Sequence, residues 1–363
     1  MKTALYERHC ALGAKIVEFA GWNMPLQYKG VIPEHLAVRK ALGIFDVSHM
    51  GRIEVSGHEA EQFLDYLSTN IIAGKPSFSA TYTVWPNGVG GCVDDLIVYK
   101  QDPHHFFVVV NASNRQKDLD HLMKYTTAFD VHIQDKFSTE GILAIQGPKA
   151  LQVAEHIFPE ASQIKPMQFL FADYKGSSII LSGTGYTGAG GCEIYAPNAV
   201  IVELWDRFLY EGQNEGIEPA GLGARDTLRL EMGYALYGHE LNESISPNET
   251  VSNWTVRWKK KDFLGKSLMQ QLEASEKKRS EHGIILLDKG IAREGYEVYQ
   301  NGRLLGKVTS GTYSPTLSKS IAIILTEGNL KNGDHVEVQI RQNRVEAEVV
   351  PLPFLKKPEQ VNA

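Results

Sequence analysis

Two adjacent carboxylates sit inside an apolar run in Gly90-Gly91-Cys92-Val93-Asp94-Asp95-Leu96-Ile97-Val98-Tyr99. Val93 and the run Leu96 to Tyr99 are apolar and partly β-branched, which predicts a strand entered from a glycine turn. Two carboxylates inside such a strand are out of place, because charged side chains are rarely buried unpaired. Successive side chains point to opposite faces of a sheet, so Asp94 and Asp95 cannot both look into one pocket. Either one of them binds a neighbouring loop while the other faces a cavity, or both lie near a strand end in solvent. The glycines before the pair and the Ile-Val-Tyr after it favour the first arrangement.

What the strand serves is narrowed by charge and cysteine content. The chain has 363 residues, enough for two or three domains and a sizeable core. Lys plus Arg is 37 against 43 for Asp plus Glu, a net charge of −6. That mild acidity argues against a nucleic-acid binder, which usually carries a basic stripe. Cys10, Cys92 and Cys192 are widely spaced with no C-x-x-C, so neither a disulfide framework nor a metal site is expected. No apolar run approaches the roughly 18 residues of a membrane helix. The N-terminal residues Met1 to Tyr6 lack signal or transit character, and a cytoplasmic location is expected.

Along the chain, Phe19-Ala20-Gly21-Trp22-Asn23-Met24-Pro25 reads as an aromatic loop punctuated by glycine and proline. Pro33 opens a predicted helix to Leu42, closed by Gly43 as its C-cap. His49, in Ser48-His49-Met50-Gly51, has no neighbours at metal-ligand spacing and reads as a hydrogen-bonded structural residue. Ala60, Phe63, Leu64 and Leu67 recur at helical spacing. Strands are predicted over Ala80 to Trp85, Val93 to Tyr99 and Phe106 to Val110. Ser113 or Asn114 then caps a helix whose apolar face includes Leu119, Leu122 and Met123. A second strand–helix pattern follows, with Ile142 to Ile145, Gly147-Pro148 and a helix to Phe158, so the segment before it reads as an inserted α+β unit.

Gly183-Thr184-Gly185-Tyr186-Thr187-Gly188 is a literal G-x-G-x-x-G after the predicted strand Ser177 to Ser182. A dinucleotide fingerprint must open a helix whose N-terminus holds the pyrophosphate. Here the glycines run on through Ala189-Gly190-Gly191 into the alternating Cys192-Glu193-Ile194-Tyr195, so the loop joins two strands and NAD is not expected. Tyr186 and Glu193 flank this hinge, as parts of a cleft or of a surface hairpin. Trp205, Phe208 and Leu209 mark an amphipathic helix ended by Gly212. Pro219 to Asp226 is a glycine-rich turn into a helix to Glu231, with free backbone N–H groups suited to an anion. It lacks the Gly-Lys-Ser/Thr of a phosphate loop. Arg225 suits a ligand carboxylate or, equally, a salt bridge to a neighbouring acid.

Lys259-Lys260-Lys261-Asp262 and the charged stretch Glu273 to Glu281 bracket Phe263, Leu264, Leu268, Met269 and Leu272, read as a solvated linker helix over 259–282. Beyond Gly283, short alternating strands with turns at Asn301-Gly302, Glu327-Gly328 and Asn332-Gly333 predict a small all-β barrel or sandwich. Lys356 to Ala363 is a polar tail expected to fray.

Taken together these stretches resemble the aminomethyltransferase, or T-protein, family of the glycine cleavage system. The resemblance runs from Thr3 to Phe354. It rests on Phe19 to Trp22, Phe45 to Gly51, Asp94 to Tyr99, Gly147-Pro148-Lys149, Thr184 to Gly188, Pro219 to Leu230, Leu236-Tyr237-Gly238-His239-Glu240, Thr309-Ser310-Gly311 and Ser314-Pro315-Thr316-Leu317. It implies an α+β, three-domain, cloverleaf-like folate-binding architecture with a C-terminal β-barrel. The expected divisions are 1–50 with 138–258, 51–137, the linker 259–282, and 283–363. It implies transfer of the methylene carbon of an aminomethyl group, carried on the lipoyl arm of a partner H protein, to tetrahydrofolate, with ammonia released. Tetrahydrofolate is a co-substrate, no metal is required, and neither nucleic acid nor membrane is a partner.

Residue by residue, the resemblance makes Asp95 the acid close to the reacting folate nitrogens. It places Met50, Tyr82, Asn111, Tyr186, Glu193, Arg225 and Tyr234 with Asp95 among the folate-binding residues. The residue types suit that chemistry. Aromatic and Met side chains sandwich a flat pterin, and a carboxylate hydrogen-bonds its amino-pyrimidine edge. Asp95 can accept a proton or stabilise the cation formed as the aminomethyl adduct collapses. The chain departs from the family at Gly183, usually Arg, at Ala189-Gly190, usually acidic, and at Cys192, usually aromatic. Asn248 to Asn253 is more polar than the family's version. These departures bear on folate affinity and loop rigidity. Two other functions remain open from sequence: a demethylase-type folate enzyme of the same superfamily, or a non-catalytic folate-binding protein. The cysteine-centred Lys-Gly-Cys-Tyr-x-Gly-Gln motif of the latter is absent.

Overall fold

The computed structural model describes residues 1–275, 279–328 and 330–355. The expected tail Lys356–Ala363 lies outside the described residues, as does 276–278 of the charged stretch. The chain divides into two compact units, one of Met1–Leu64, Ile72–Tyr82 and Leu96–Asp226, the other of Asp65–Ile71, Thr83–Asp95 and Thr227 onward.

The first unit is built on a six-stranded sheet, in the order Phe169–Tyr174, Ser177–Ser182, Gly191–Pro197, Glu140–Gln146, Leu42–Asp46, Ile217–Pro219. Its strands pair antiparallel except the last, which runs parallel to Leu42–Asp46. Leu143, Ile145, Ile194 and Leu181 from the sheet pack with Ile201, Leu204, Trp205 and Phe208 of the helix Asn198–Glu211 in one core cluster. These helix side chains keep to one face, and burying each contributes roughly 1.5–3 kcal/mol. Gly212 ends this helix as expected, and a Cβ there would stand 2.7 Å from that of Ile217.

Three helices differ from expectation. The first spans Val31–Lys40, and Gly43 is not its cap but part of the buried strand Leu42–Asp46. A Cβ on Gly43 would stand 2.5 Å from Val38 Cγ2, so the glycine lets the helix lie close on the strand. The helix expected to reach Phe158 is Ala150–Glu155, because Pro159 begins a separate 3-10 turn, Pro159–Gln163. In the helix Arg115–Tyr125, Asn114 stands at the N-cap position but its side chain makes no capping bond to the helix, and Met123 is exposed while His121 is buried.

A five-stranded sheet has the order Ser79–Pro86, Cys92–Asp102, His105–Val110, Gly51–Ser56, His132–Asp135. In the strand Cys92–Asp102 the aspartates are the third and fourth residues, and both are buried, Asp94 completely and Asp95 with 8 % exposed. The solvated strand-end arrangement is thereby overturned.

In the second unit a closed barrel runs Arg279–Leu286, Lys319–Glu327, Arg303–Ser314, Glu297–Gln300, His335–Ile340, Asn343–Val350, and closes back on the first strand. Asn301 and Gly302 both take positive φ in the hairpin expected at that turn. The polar stretch Asn248 to Asn253 is satisfied from within: Asn248 Nδ2 donates to Glu273 at 2.8 Å, and Arg279 Nε donates to Glu249 at 2.9 Å. The linker is shorter and less solvated than expected. Its helix is Lys266–Glu273, Phe263 is buried before it, and Lys260 is 7 % exposed. Lys260 Nζ donates to the carbonyls of Asp65, Ser68 and Asn70 at 2.5, 2.8 and 3.0 Å and pairs with the Asp65 carboxylate at 3.2 Å. Burial lowers its ammonium pKa, while Asp65 opposes that shift.

Candidate functional site

Asp46 sets the turn that presents His49 and Met50. Its Oδ1 accepts the Ser48 N–H at 2.9 Å, while Oδ2 accepts the Thr3 hydroxyl at 2.7 Å and pairs with His9 Nε2 at 2.9 Å. Burial alone would raise this carboxyl, but the bonds from His9, Ser48 and Thr3 outweigh it and hold Asp46 below its usual range. His49 is buried with Nδ1 unpartnered among the described residues, and the Phe19 ring meets its edge at 5.6 Å. Burial, aided by the Arg225 charge and opposed by Asp46, pushes His49 down to about 4. The imidazole at this turn is therefore neutral at physiological pH.

The G-x-G-x-x-G loop is a packing device. The strand Gly191–Pro197 follows it with no helix, as expected. A Cβ at Gly185 would fall 2.0 Å from Gln146 Oε1, and one at Gly191 would fall 2.1 Å from the Ile145 carbonyl. Gln146 also accepts the Thr187 hydroxyl at 2.8 Å, and Arg39 donates to the Thr187 carbonyl at 2.5 Å. Gly183, where the family usually has Arg, would bring a Cβ to 2.2 Å from the Lys165 carbonyl, so this backbone accepts no side chain there. Cys192 is core, and burial with the charge of Glu193 pushes its thiol up to about 12.

Glu193 lies 7 % exposed on the strand Gly191–Pro197. Its Oε2 accepts the Thr184 hydroxyl at 2.5 Å and the Tyr195 hydroxyl at 3.1 Å. Tyr99 Oη stands 2.7 Å from Tyr195 Oη and 3.0 Å from Thr184 Oγ1. Sequence reasoning missed Thr184, Tyr195 and Tyr99 as parts of the site. The signal was present for Tyr195, because strand alternation puts residues 193 and 195 on one face.

Arg225 is carried by the helix Leu222–Glu231. In the glycine-rich turn before it, the Gly221 N–H expected to be open to an anion is already taken. Glu34 fills that role: its Oε2 accepts the Gly221 N–H at 2.9 Å and its Oε1 accepts those of Tyr28 and Gly30 at 2.6 and 2.9 Å. Arg225 itself forms no ion pair among the described residues. Its guanidinium lies 4.7 Å over the Tyr186 ring, Nη2 points to Met50 Sδ at 3.9 Å, and Nη1 is enclosed without a partner among the described residues. Burial lowers the Arg225 pKa from its usual value, opposed by Glu193, Tyr186 and Tyr195. Met50, Tyr186, Glu193 and Arg225 are thus neighbours around one incompletely satisfied cation. Tyr82 and Asn111 lie half-buried in the same unit.

Within the second unit, Tyr234 is half-buried in the turn after that helix. Its carbonyl accepts Arg229 Nη1 at 3.1 Å and its N–H donates to the Arg229 carbonyl at 3.0 Å. Arg229 also donates to Glu240 Oε2 at 2.9 Å and to Ser310 Oγ at 2.8 Å. Asp95 is the less enclosed member of the buried pair.

The family model described as the GCVT N-terminal domain matches residues 5–260, and that of the glycine cleavage T-protein C-terminal barrel domain matches 280–356. The chain belongs to the glycine cleavage T-protein family. An aminomethyltransferase of Chlorobium luteolum is 42 % identical over 362 residues, covering 98 % of each chain. That of Bacillus subtilis is 41 % identical over 360 residues, covering 98 % of this chain and 99 % of its own. The crystal structure of glycine cleavage system aminomethyltransferase T from Bartonella henselae matches with a TM-score of 0.91 at 30 % identity, over 98 % of both chains. The chain is accordingly an enzyme of the tetrahydrofolate-dependent aminomethyltransferase type, and its α+β class with a C-terminal barrel is that of the family.

Proposed function

We propose that this T-protein-family enzyme takes the methylene carbon from an aminomethyl group on the lipoyl arm of H protein, passes it to tetrahydrofolate and releases ammonia. The observation that carries this reading is the enclosed Nη1 of Arg225, without a partner among the described residues, beside the Tyr186 ring, the Met50 thioether and the Glu193 carboxylate. An apolar ring face, a polarisable sulfur, an acceptor and a donor without an acceptor fit a flat, polar-edged pterin. Glu193 holds the amino-pyrimidine edge, Arg225 holds an acceptor of the folate, and Tyr82, Asn111 and Tyr234 complete the set of folate-binding residues. Asp95 is assigned to the chemistry, where a carboxylate favours the positive charge that develops as the carbon–sulfur bond breaks, or takes up a proton. A cytoplasmic location goes with this function; among the described residues no helix is long and apolar enough to cross a membrane.

The test is a reconstituted assay with aminomethyl-loaded H protein and tetrahydrofolate, read as methylenetetrahydrofolate and ammonia formed. Asp95→Asn keeps the shape but loses charge and basicity, and turnover should fall about 10²–10⁴-fold, the range for a positioned acid–base group. Folate affinity should stay within roughly a decade, since ring burial supplies much of it. Asp94→Asn should cost stability more than turnover. Equal losses in the two variants, or near-normal turnover in Asp95→Asn, would sink the assignment.

A further inference from the structure

Among the described residues, every hydrogen bond that the Glu193 side chain accepts falls on one of its two oxygens, and the donors form a directed chain. The Thr184 hydroxyl has a single proton. Its contact with Glu193 Oε2 at 2.5 Å is charge-assisted and shorter than the 2.9 Å contact with Ser182 Oγ, so the proton goes to Glu193; the Ser182 hydroxyl also reaches the Gln168 carbonyl at 3.5 Å. Tyr195 donates to the same Oε2 at 3.1 Å, which leaves its oxygen to accept from Tyr99 at 2.7 Å. Tyr99 is itself immobilised, fully buried and stacked on Phe107 at 4.3 Å with the rings 8° apart. Burial first, and the charge of Glu193 second, raise both phenols above their usual range, so both remain donors. Oε2 is thereby committed to the protein, and Oε1 accepts nothing from the described residues.

We propose that Tyr195 and Thr184, backed by Tyr99 and Ser182, are positioning residues that pin one oxygen of Glu193 and reserve the other as an acceptor for an N–H edge of the folate ring. Neither hydroxyl touches the reacting carbon. They act through Glu193, by holding it in one rotamer, so that binding spends no freedom of that side chain. The ligand class selected at Oε1 is one that presents an N–H donor, such as an amino-pyrimidine. A ring with an acceptor there is repelled by the fixed carboxylate. The inference rests on the folate reading of Glu193 given above.

The experiment compares Tyr195→Phe, Thr184→Val and Thr184→Ser with Glu193→Gln in the reconstituted assay, each checked for an unchanged melting profile. Tyr195→Phe and Thr184→Val should each raise KM for tetrahydrofolate about tenfold, the lower end of a lost charge-assisted bond. Their kcat at saturating tetrahydrofolate should stay within about twofold, since the lost contact is shared by ground and transition states. Thr184→Ser, which restores the hydroxyl, should restore KM. A purely structural role predicts the opposite pattern, with kcat falling alongside the folded fraction while KM stays put, and that result overturns the proposal. So does a Thr184→Ser variant as impaired as Thr184→Val, which also decides the matter should Tyr195→Phe not fold. If Glu193→Gln raises KM but neither hydroxyl variant does, the positioning role alone is lost. If Glu193→Gln leaves KM unchanged, the folate reading of Glu193 falls, and this proposal with it.

Discussion

Arg225 and Arg229 stand one turn apart on the helix Leu222–Glu231, and their surroundings are opposite. Arg229 has all it needs: a carboxylate from Glu240, a hydroxyl from Ser310 and the carbonyl of Tyr234, with only 2 % of its side chain exposed. Arg225 has a ring face, a sulfur and an enclosed Nη1 with no acceptor among the described residues. An enclosed donor left without an acceptor costs about 1–3 kcal/mol, which a ligand acceptor at this position would recover. Two arginines that look alike in sequence therefore differ in what completes them. The chain completes Arg229, and on our reading a ligand completes Arg225.

The contrast is tested most severely at Arg229. Arg229→Met strands the fully buried Glu240 without its cation, and unfolding free energy should drop by about 3–5 kcal/mol. Denaturant titration measures it, and a loss below about 1 kcal/mol would remove the structural half of the contrast.

The next effect is one of pH. His49 has an ordinary pKa of 6.5 and is pushed down to about 4 in the fold, chiefly by burial and in part by Arg225. Between those values the unfolded chain takes up the proton and the folded chain does not. The stability that His49 contributes is therefore complete above about pH 6.5 and is lost as pH falls toward 4. At roughly 1.4 kcal/mol per pH unit the loss reaches about 3 kcal/mol at most. Melting temperature against pH should show this acid limb flattened in His49→Gln. In Arg225→Met, NMR titration should find His49 moved upward; an unmoved His49 would mean that the Arg225 charge is not felt at the turn.

The smallest change is at Arg225 itself. Arg225→Met should cost little stability and weaken tetrahydrofolate binding by a charged hydrogen bond, about 1.5–3 kcal/mol or one to two decades. Calorimetry on the folded variant is sufficient. Unchanged affinity would take Arg225 out of the site, and a stability loss matching that of Arg229→Met would erase the contrast.

Much of the molecule is legible from local patterns in its sequence. The loop from Gly183 to Gly191 declares itself a strand connection because nothing helical follows it, and the turns at Asn301-Gly302 and Asn332-Gly333 outline the barrel. What escapes is whatever depends on contacts distant in sequence. Gly43 reads as a helix cap because glycine after an apolar helical run usually is one, but the constraint comes from Val38 pressing on a strand. The glycines before Arg225 read as an open anion site, and only the fold brings Glu34 to fill it. Tyr99 and Tyr195, nearly a hundred residues apart, are each unremarkable in a strand, and their chain of hydroxyls exists only once two strands meet.

Lys260 belongs to the same class, and its placement changes what the segment around it is. Of three consecutive lysines, Lys259 and Lys261 stand in solvent while the middle one is withdrawn. Its ammonium sits where the carbonyls of Asp65, Ser68 and Asn70 converge. Three carbonyl oxygens aimed at one point are what a protein offers an alkali ion. Here the cation is a side chain of the same polypeptide, so the segment 65–70 is bound to a counter-charge that cannot diffuse away while the chain stays folded.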